Sequence, residues 1–349
     1  MMSGAPAFRA ALRTISTLRL DRLAAPVTRG LGAIIMLHQV CPPSGERFEP
    51  SRILQITPDF LEAALSMVRS QGFDFIALDD LLLRISTPTD RPFVAFTLDD
   101  GYRDNLEHAA PIFARFDAPY AIYLPDSFAD GKGDLWWLTL EAVLRKRTSI
   151  TFDSGAGTER YDLADTDAKV RAHSAIYWAL RARDERTMRA TIAEWAAESD
   201  IDPAKIASDL LMGWDEIREI AGDPLCTIGA HTTDHLAIAK LPADEMRDQI
   251  VQNRTRLTHE LGVSPRHFSY PYGDPGSAGP REFAELAALG FETAVTTRKG
   301  MIFADHAAHV HALPRLSLNG DFQDLGMLRA LLSGLPFALR RPGRLLDVG

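Results

Sequence analysis

Three short clusters in this chain carry residue types and spacings that could do chemistry. The first is Phe96-Thr97-Leu98-Asp99-Asp100-Gly101, an apolar run that meets two adjacent carboxylates and a glycine. Two neighbouring acids in a partly buried site are costly to ionise together unless a cation is present. One acid ligating a metal while the other acts as a base resolves that conflict. Taken alone, the pair reads equally well as a helix cap and turn, where Asp-Gly is common. The second cluster is Gly229-Ala230-His231-Thr232-Thr233-Asp234-His235, again directly after an apolar run. Two histidines four apart can reach one ion from one turn of chain, because neutral imidazole is a good ligand for zinc and its neighbours. A histidine pair by itself is more often a surface or core feature. Joined to one carboxylate, it describes a centre with positions open to water, which is hydrolytic rather than purely structural. The third cluster is Phe268-Ser269-Tyr270-Pro271-Tyr272-Gly273-Asp274. Pro271 and Gly273 set an unusual backbone path. Such a loop can aim a backbone N–H at a developing oxyanion, or simply end a strand.

These clusters need elements that bring them to one place. Short apolar runs at Ala33–Leu37, Phe93–Leu98, Tyr120–Leu124, Cys226–Ala230, His267–Tyr270, Thr293–Thr296 and Val310–Leu313 read as buried strands. Helical patterns alternate with them. Pro58–Gln71 has Thr57 as N-cap and a stripe of Phe60, Leu61, Ala64, Leu65 and Val68. Pro242–Leu261 carries Met246, Ile250 and Leu257 and stops at Gly262, and Pro280–Leu289 ends at Gly290. Near-continuous apolar strands between helices predict an α/β fold whose parallel sheet is covered on both faces, as a barrel or an open doubly wound sheet. In both, active sites lie at the C-terminal rim of the strands, where all three clusters fall. Residues 131–213 break the rhythm with helical, Arg-, Ala- and Glu-rich sequence containing Trp136, Trp137, Trp178 and Trp195. They read as a helical insertion on the barrel. The expected organisation is a basic segment over 1–30, a domain over 31–325 that includes the insertion, and a basic tail over 326–349.

Bulk properties exclude some functions. The 349 residues are 46% apolar and 24% charged, which is ordinary globular composition. With 38 Lys and Arg against 47 Asp and Glu, the net charge of −9 argues against wide nucleic-acid binding. It leaves a neutral glycan open as substrate. Two cysteines, Cys41 and Cys226, make no disulfide framework. No stretch approaches the ~20 apolar residues of a membrane span, and no secretory signal pattern stands out. Both ends are basic, with Arg9, Arg13, Arg19, Arg22 and Arg29 at one and Arg340, Arg341 and Arg344 at the other. They read as solvated, partly disordered ends, with contact to an anionic membrane surface as the alternative. The expected location is cytoplasmic or peripheral to the inner face of the membrane.

At the three clusters the chain resembles the polysaccharide deacetylase family, carbohydrate esterase family four. The family's Thr-Phe-Asp-Asp-Gly motif stands as Thr97-Leu98-Asp99-Asp100-Gly101, its His-Ser/Thr-x-x-His motif as His231–His235, and its Pro-Tyr-Gly loop as Pro271-Tyr272-Gly273. The resemblance spans roughly 34–318. It implies a distorted (β/α) barrel of about seven parallel strands and removal of N-acetyl groups from an N-acetylhexosamine-containing poly- or oligosaccharide. It also implies one divalent ion, zinc first with cobalt, nickel or manganese as alternatives, held by Asp100, His231 and His235. Asp99 would be the general base, and Tyr272 would supply the oxyanion N–H and a ring for sugar stacking.

Two departures stand out. Many members have Arg where this chain has Ser269, so the partner that tunes the base is missing there, and Arg315 in Leu313-Pro314-Arg315-Leu316 is the substitute. The usual C-terminal Leu-x-x-x-His is absent too. Instead Ile34-Ile35-Met36-Leu37 ends in His38, as in the branch of the family whose motifs are circularly shifted, which makes His38 the general acid. A structural histidine is the competing reading of His38, and His309 and His311 are the fallback acids. The rival activities are an O-acetyl esterase on a polysaccharide and a silent glycan-binding protein of an export pathway.

Overall fold

The computed structural model describes residues 5–155 and 157–340. Eight strands form one curved, wholly parallel sheet: β1 (Gly32–Leu37), β2 (Asp74–Phe75), β3 (Phe93–Asp99), β4 (Tyr120–Leu124), β5 (Cys226–Ala230), β6 (His267–Ser269), β7 (Thr293–Val295) and β8 (Leu316–Ser317). Seven follow the path β7-β6-β5-β4-β3-β1-β8, and the short β2 pairs with the opening residues of β3. The path nearly closes on itself. Leu313 makes a lone parallel bridge to Val295 of β7, and Leu316 and Ser317 pair with Ile35 and Met36 of β1. The chain from 313 to 317 therefore spans the seam between the two edges, giving the distorted (β/α) barrel. Val310–Leu313 is not the strand expected there. A turn in which Ala312 N–H donates to His309 O takes up most of it, and the seam strand forms three residues later.

Alternation along β3 explains where its acids point. Phe93 and Ala95 join Ile34, Ala121, Tyr123, Val295 and Leu313 inside the barrel, and Val94, Phe96 and Leu98 pack outward under the helices. Successive strand side chains face opposite ways, so Thr97 and Asp99 continue the inner series to the C-terminal rim.

The helices used below are α1 (Ala5–Thr17), α2 (Leu20–Thr28), α3 (Pro58–Ser70), α4 (Trp136–Lys146), α5 (Thr166–Ala182), α6 (Glu185–Glu198), α7 (Ala243–Leu261), α8 (Leu325–Leu332) and α9 (Leu335–Arg340). Thr57 caps α3 by accepting from the Phe60 N–H. Gly262 ends α7 with φ at 73°, a left-handed conformation that glycine takes without strain.

Two expectations need correction. Residues 131–213 are not helical throughout: Ser149–Asp153 and Thr158–Asp162 form an antiparallel hairpin between α4 and α5. This region has its own core of Trp136, Leu140, Ile176, Met188, Ile192 and Trp195, and that core continues into Tyr102 and Phe128 of the barrel. The described parts of the basic ends are not solvated coil either. Helix α1 packs on α8, burying Leu12 and Ile15 in the main core with Met327 and Leu328. Apolar side chains at helical spacing outweigh the arginines between them. Arg341 and Arg344 lie outside the described residues. Among the described residues no helix is long and apolar enough to cross a membrane.

Candidate active site

The rim gathers Asp100, His231 and His235 into one buried group whose ligating atoms all lie within 4.8 Å of one another. His235 Nε2 is 3.3 Å and His231 Nε2 3.6 Å from Asp100 Oδ1. Tetrahedral ligands held at about 2.0–2.1 Å stand roughly 3.3 Å apart, so the spacing suits one small ion. The atoms themselves call for one. Asp100 Oδ1 is buried with no hydrogen-bond partner in the protein. His231 Nδ1 donates to Ser269 O at 2.6 Å, which leaves Nε2 as the lone-pair nitrogen facing the carboxylate. Burial pushes the His235 imidazole down to about 3, keeping it neutral and able to ligate.

Backbone strain is concentrated here. Asp100, Thr232, His235 and Tyr272 are four of the seven non-glycine residues with positive φ among the described residues. Such conformations persist only where surrounding contacts over-determine them. Asp100 N–H donates to Tyr123 O at 3.0 Å, which turns the chain at the end of β3. Gly101 follows at φ 73°, a conformation glycine takes without strain, and a Cβ there would fall 2.4 Å from Leu124 Cδ2 and force that side chain to shift. Helix α7 pins the histidine loop. Asn253 Oδ1 accepts from His231 N–H, and its Nδ2 donates to Leu124 O and to Asp126 Oδ1. Gln249 Oε1 accepts from Asp234 N–H one turn earlier. Sequence reasoning missed both residues, although Asn253 left a signal. It is a fully buried amide on the apolar stripe between Ile250 and Leu257.

Asp99 faces Arg315. The guanidinium donates to Oδ1 at 2.8 Å and Oδ2 at 2.7 Å, and also to Thr97 Oγ1 and Ser269 Oγ. Burial works to raise the Asp99 carboxyl, but the charge and fork of Arg315 outweigh it and hold the group well below the usual carboxylate range. Arg315 thus occupies the place expected of it, and Ser269 touches both partners. Arg315 reaches in because it lies on the seam, between Leu313, which bridges to β7, and Leu316 of β8, which pairs with β1.

His38 follows β1, one residue past the Leu37–Leu98 pair, which puts it level with Asp99 at the rim. Burial lowers its imidazole, opposed by the charges of Asp100 and Asp99. The fallback histidines do not belong to this group. His311 Nε2 bonds Phe291 O, just before β7 begins and so at the opposite end of the barrel, and His309 is exposed.

The insertion completes the site from above. Trp136 Nε1 donates to Tyr272 Oη at 2.7 Å, and the Arg181 guanidinium lies 3.6 Å over the Tyr272 ring. The Tyr272 ring meets the His235 ring edge-on at 4.8 Å, and Trp137 packs against His235 at 5.3 Å. One face of Tyr272 is therefore covered by Arg181, which limits its use as a stacking platform for sugar. The two tryptophans are buried beside the site. Arg181 also donates to Ser277 Oγ and pairs with Glu185 and Asp274. Nothing in the sequence pattern of α5 singles it out.

Comparison with known proteins agrees with this architecture. The model of the polysaccharide deacetylase family matches residues 140–293, which hold the histidine pair and the Pro271-Tyr272-Gly273 loop. A search of curated protein sequences finds no match. Among solved structures, the deacetylase PplD of Streptococcus pyogenes in complex with acetate is 14% identical with a TM-score of 0.54, covering 83% of this chain and 92% of its own. IcaB from Ammonifex degensii is 18% identical with a TM-score of 0.54, covering 86% and 98%. The polysaccharide deacetylase BC0361 from Bacillus cereus is 12% identical with a TM-score of 0.53, covering 86% and 68%. At these identities the three structures speak for the fold, and the matched model speaks for the domain. Over residues 140–293 the chain is similar to the polysaccharide deacetylase family, and its fold is the (β/α) barrel seen in the deacetylase structures.

Proposed function

We propose that the protein removes N-acetyl groups from an N-acetylhexosamine-containing poly- or oligosaccharide with the help of one divalent ion. The observation that carries this reading is the buried Asp100–His231–His235 group beside an ionised Asp99 at the barrel rim. These three side chains would hold the ion, with zinc the best match to one carboxylate and two imidazoles. When bound, it supplies Lewis-acid polarisation and makes water more acidic.

The rest falls to the chain's own groups. Asp99, kept ionised by Arg315, accepts a proton from the water that attacks the acetamide carbonyl carbon. The Tyr272 N–H, on a loop tied down by Thr297 Oγ1 donating to Tyr272 O, faces the developing oxyanion. His38 protonates the departing nitrogen as the C–N bond breaks, which leaves a free amino sugar and acetate. The buried aromatic wall of Trp136, Trp137 and Tyr272 excludes bulk water from one side of the reaction.

The decisive experiment is acetate release from a panel of N-acetylglucosamine oligomers, with and without chelator, beside an O-acetylated glycan. Chelator-sensitive release from the N-acetylated oligomers is the expected result. Release from the O-acetylated glycan alone would overturn the amide reading.

A further inference from the structure

Five of the ten large apolar side chains that stand exposed among the described residues lie together at the two ends of the chain. They are Leu18 (61% exposed), Leu20, Leu23 (78%), Val27 (79%) and Leu339 (65%). Helix α2 is amphipathic in an unusual sense. Asp21 is buried and ion-paired with Arg329 of α8 at 2.6 Å, which fixes the inner face. The outer face presents Leu20, Leu23 and Val27 at i, i+3 and i+7, a single stripe open to solvent. Helix α9 packs beside α2, and Thr28 Oγ1 donates to Ser333 O between α8 and α9, so Leu339 belongs to the same side of the molecule. An exposed stripe of this kind marks a contact surface more often than chance.

Charge identifies the occupant. Arg13, Arg19, Arg22 and Arg340 flank the stripe, and none pairs with a carboxylate among the described residues. The only acid in residues 1–30 is Asp21, which is already neutralised by Arg329. The whole chain, by contrast, carries −9. We propose that α2, with the adjoining ends of α1 and α9, docks on an anionic lipid surface. The leucines would enter the headgroup boundary and the arginines would meet the lipid phosphates. A second copy of this face is disfavoured, because a two-fold contact would set arginines against arginines. A nucleic acid has no use for the leucine stripe.

The geometry also orients the enzyme. Helix α2 leads through Gly30 into the N-terminal end of β1, and His38 lies past the opposite end of that strand. A bilayer held by α2 leaves the catalytic rim open to a glycan, and the acidic remainder of the surface repels the same bilayer. This inference stands whichever acetylated substrate the site takes.

The test is sedimentation of the full chain with vesicles of mixed phosphatidylglycerol and phosphatidylcholine, and with phosphatidylcholine alone, at low and high salt. Binding to the anionic vesicles that weakens with salt is expected. Leu23→Glu/Val27→Glu and Arg19→Glu/Arg22→Glu should each weaken it by at least about tenfold. Val263→Glu, at another exposed apolar position, should leave it unchanged. All the substituted side chains are exposed, so an unchanged melting temperature is the control for folding. Absent binding, equal binding to neutral vesicles, or equal binding by Leu23→Glu/Val27→Glu overturns the proposal. So does a parent protein that dimerises through this face, by analytical ultracentrifugation, without sedimenting with vesicles.

Discussion

Arg315 grips Asp99 with two parallel bonds, 2.8 and 2.7 Å long, and both side chains are buried. A buried pair with this geometry is expensive to break from one side, because the remaining charge has no partner. Arg315→Met should therefore lower stability by about 3–5 kcal/mol, measured by urea denaturation. Arg315→Met/Asp99→Asn should regain much of that loss, because it leaves no lone charge. Arg315→Lys tests the effect on the base. Lysine keeps the charge but lacks the fork, so Asp99 loses its proton less readily. The acid limb of the pH profile of kcat/KM should move to higher pH, and an unmoved limb would remove Asp99 from the base role.

The assignment of His38 as proton donor is separable from a structural role by the leaving group. An amide nitrogen must be protonated to depart, whereas 4-nitrophenolate leaves unaided. His38→Gln should cut acetate release from N-acetylglucosamine oligomers by about 10²–10⁴-fold. Hydrolysis of 4-nitrophenyl acetate should fall far less. Equal losses on both substrates would make His38 a scaffold residue.

Much of this architecture was legible because its signals are local. The strand at Tyr120–Leu124 is a continuous apolar run, and the sheet is where such a run is buried on both faces. The motif residues Asp99, Asp100, His231 and His235 fall at strand ends, where the carboxyl-terminal rim gathers them. What escaped was set by tertiary contact. Asp74–Phe75 is two residues long and carries no period. The hairpin at 149–162 was hidden because Thr158–Asp162 is mostly charged and exposed, and only Ile150 and Phe152 alternate. The strand expected at Val310–Leu313 is apolar enough, but the turn at His309 claims it. Arg181 was invisible because an arginine on a charged helix looks solvated until the partner loop is in view.

Metal removal offers a direct reading of the ligand group. Asp100 Oδ1 is a buried orphan that an ion would satisfy, so ion binding should favour the folded state by about 2.7 kcal/mol at a hundred times Kd. Chelator should lower the melting temperature of the parent protein, and zinc should restore it. His231→Ala and His235→Ala should lose both the bound ion, by elemental analysis, and the zinc-dependent rise in melting temperature. A variant that retains a full equivalent of ion would remove that histidine from the ligand set.

Arg181 ties α5 to the Pro271-Tyr272-Gly273 loop through the Tyr272 ring, Asp274 and Ser277. A guanidinium stacked on a desolvated ring contributes about 2 kcal/mol, and Tyr272 sits at positive φ, where it needs such support. Arg181→Met keeps the apolar stem and removes the fork. We expect kcat to fall at least about tenfold while bound metal stays at the parent level. Arg181→Lys should recover little, because lysine cannot stack and bridge together. Parent-like kcat in Arg181→Met would show that the loop holds its shape without the insertion.

Asp104 should give stability a pH dependence separate from that of Asp99. Burial raises its carboxyl to about 7, although Val40 N–H and Asn105 Nδ2 donate to Oδ1. In the unfolded chain the group titrates near 4, so between about pH 4 and 7 the folded state binds the extra proton. Its contribution is therefore fully present below pH 4 and is lost as pH rises through 7. Asp104→Asn keeps the Oδ1 acceptor and cannot ionise. Urea midpoints at pH 5 and pH 8 should converge in Asp104→Asn relative to the parent, with the variant the more stable at pH 8. An unchanged difference between the two midpoints would place the parent's pH dependence on other groups.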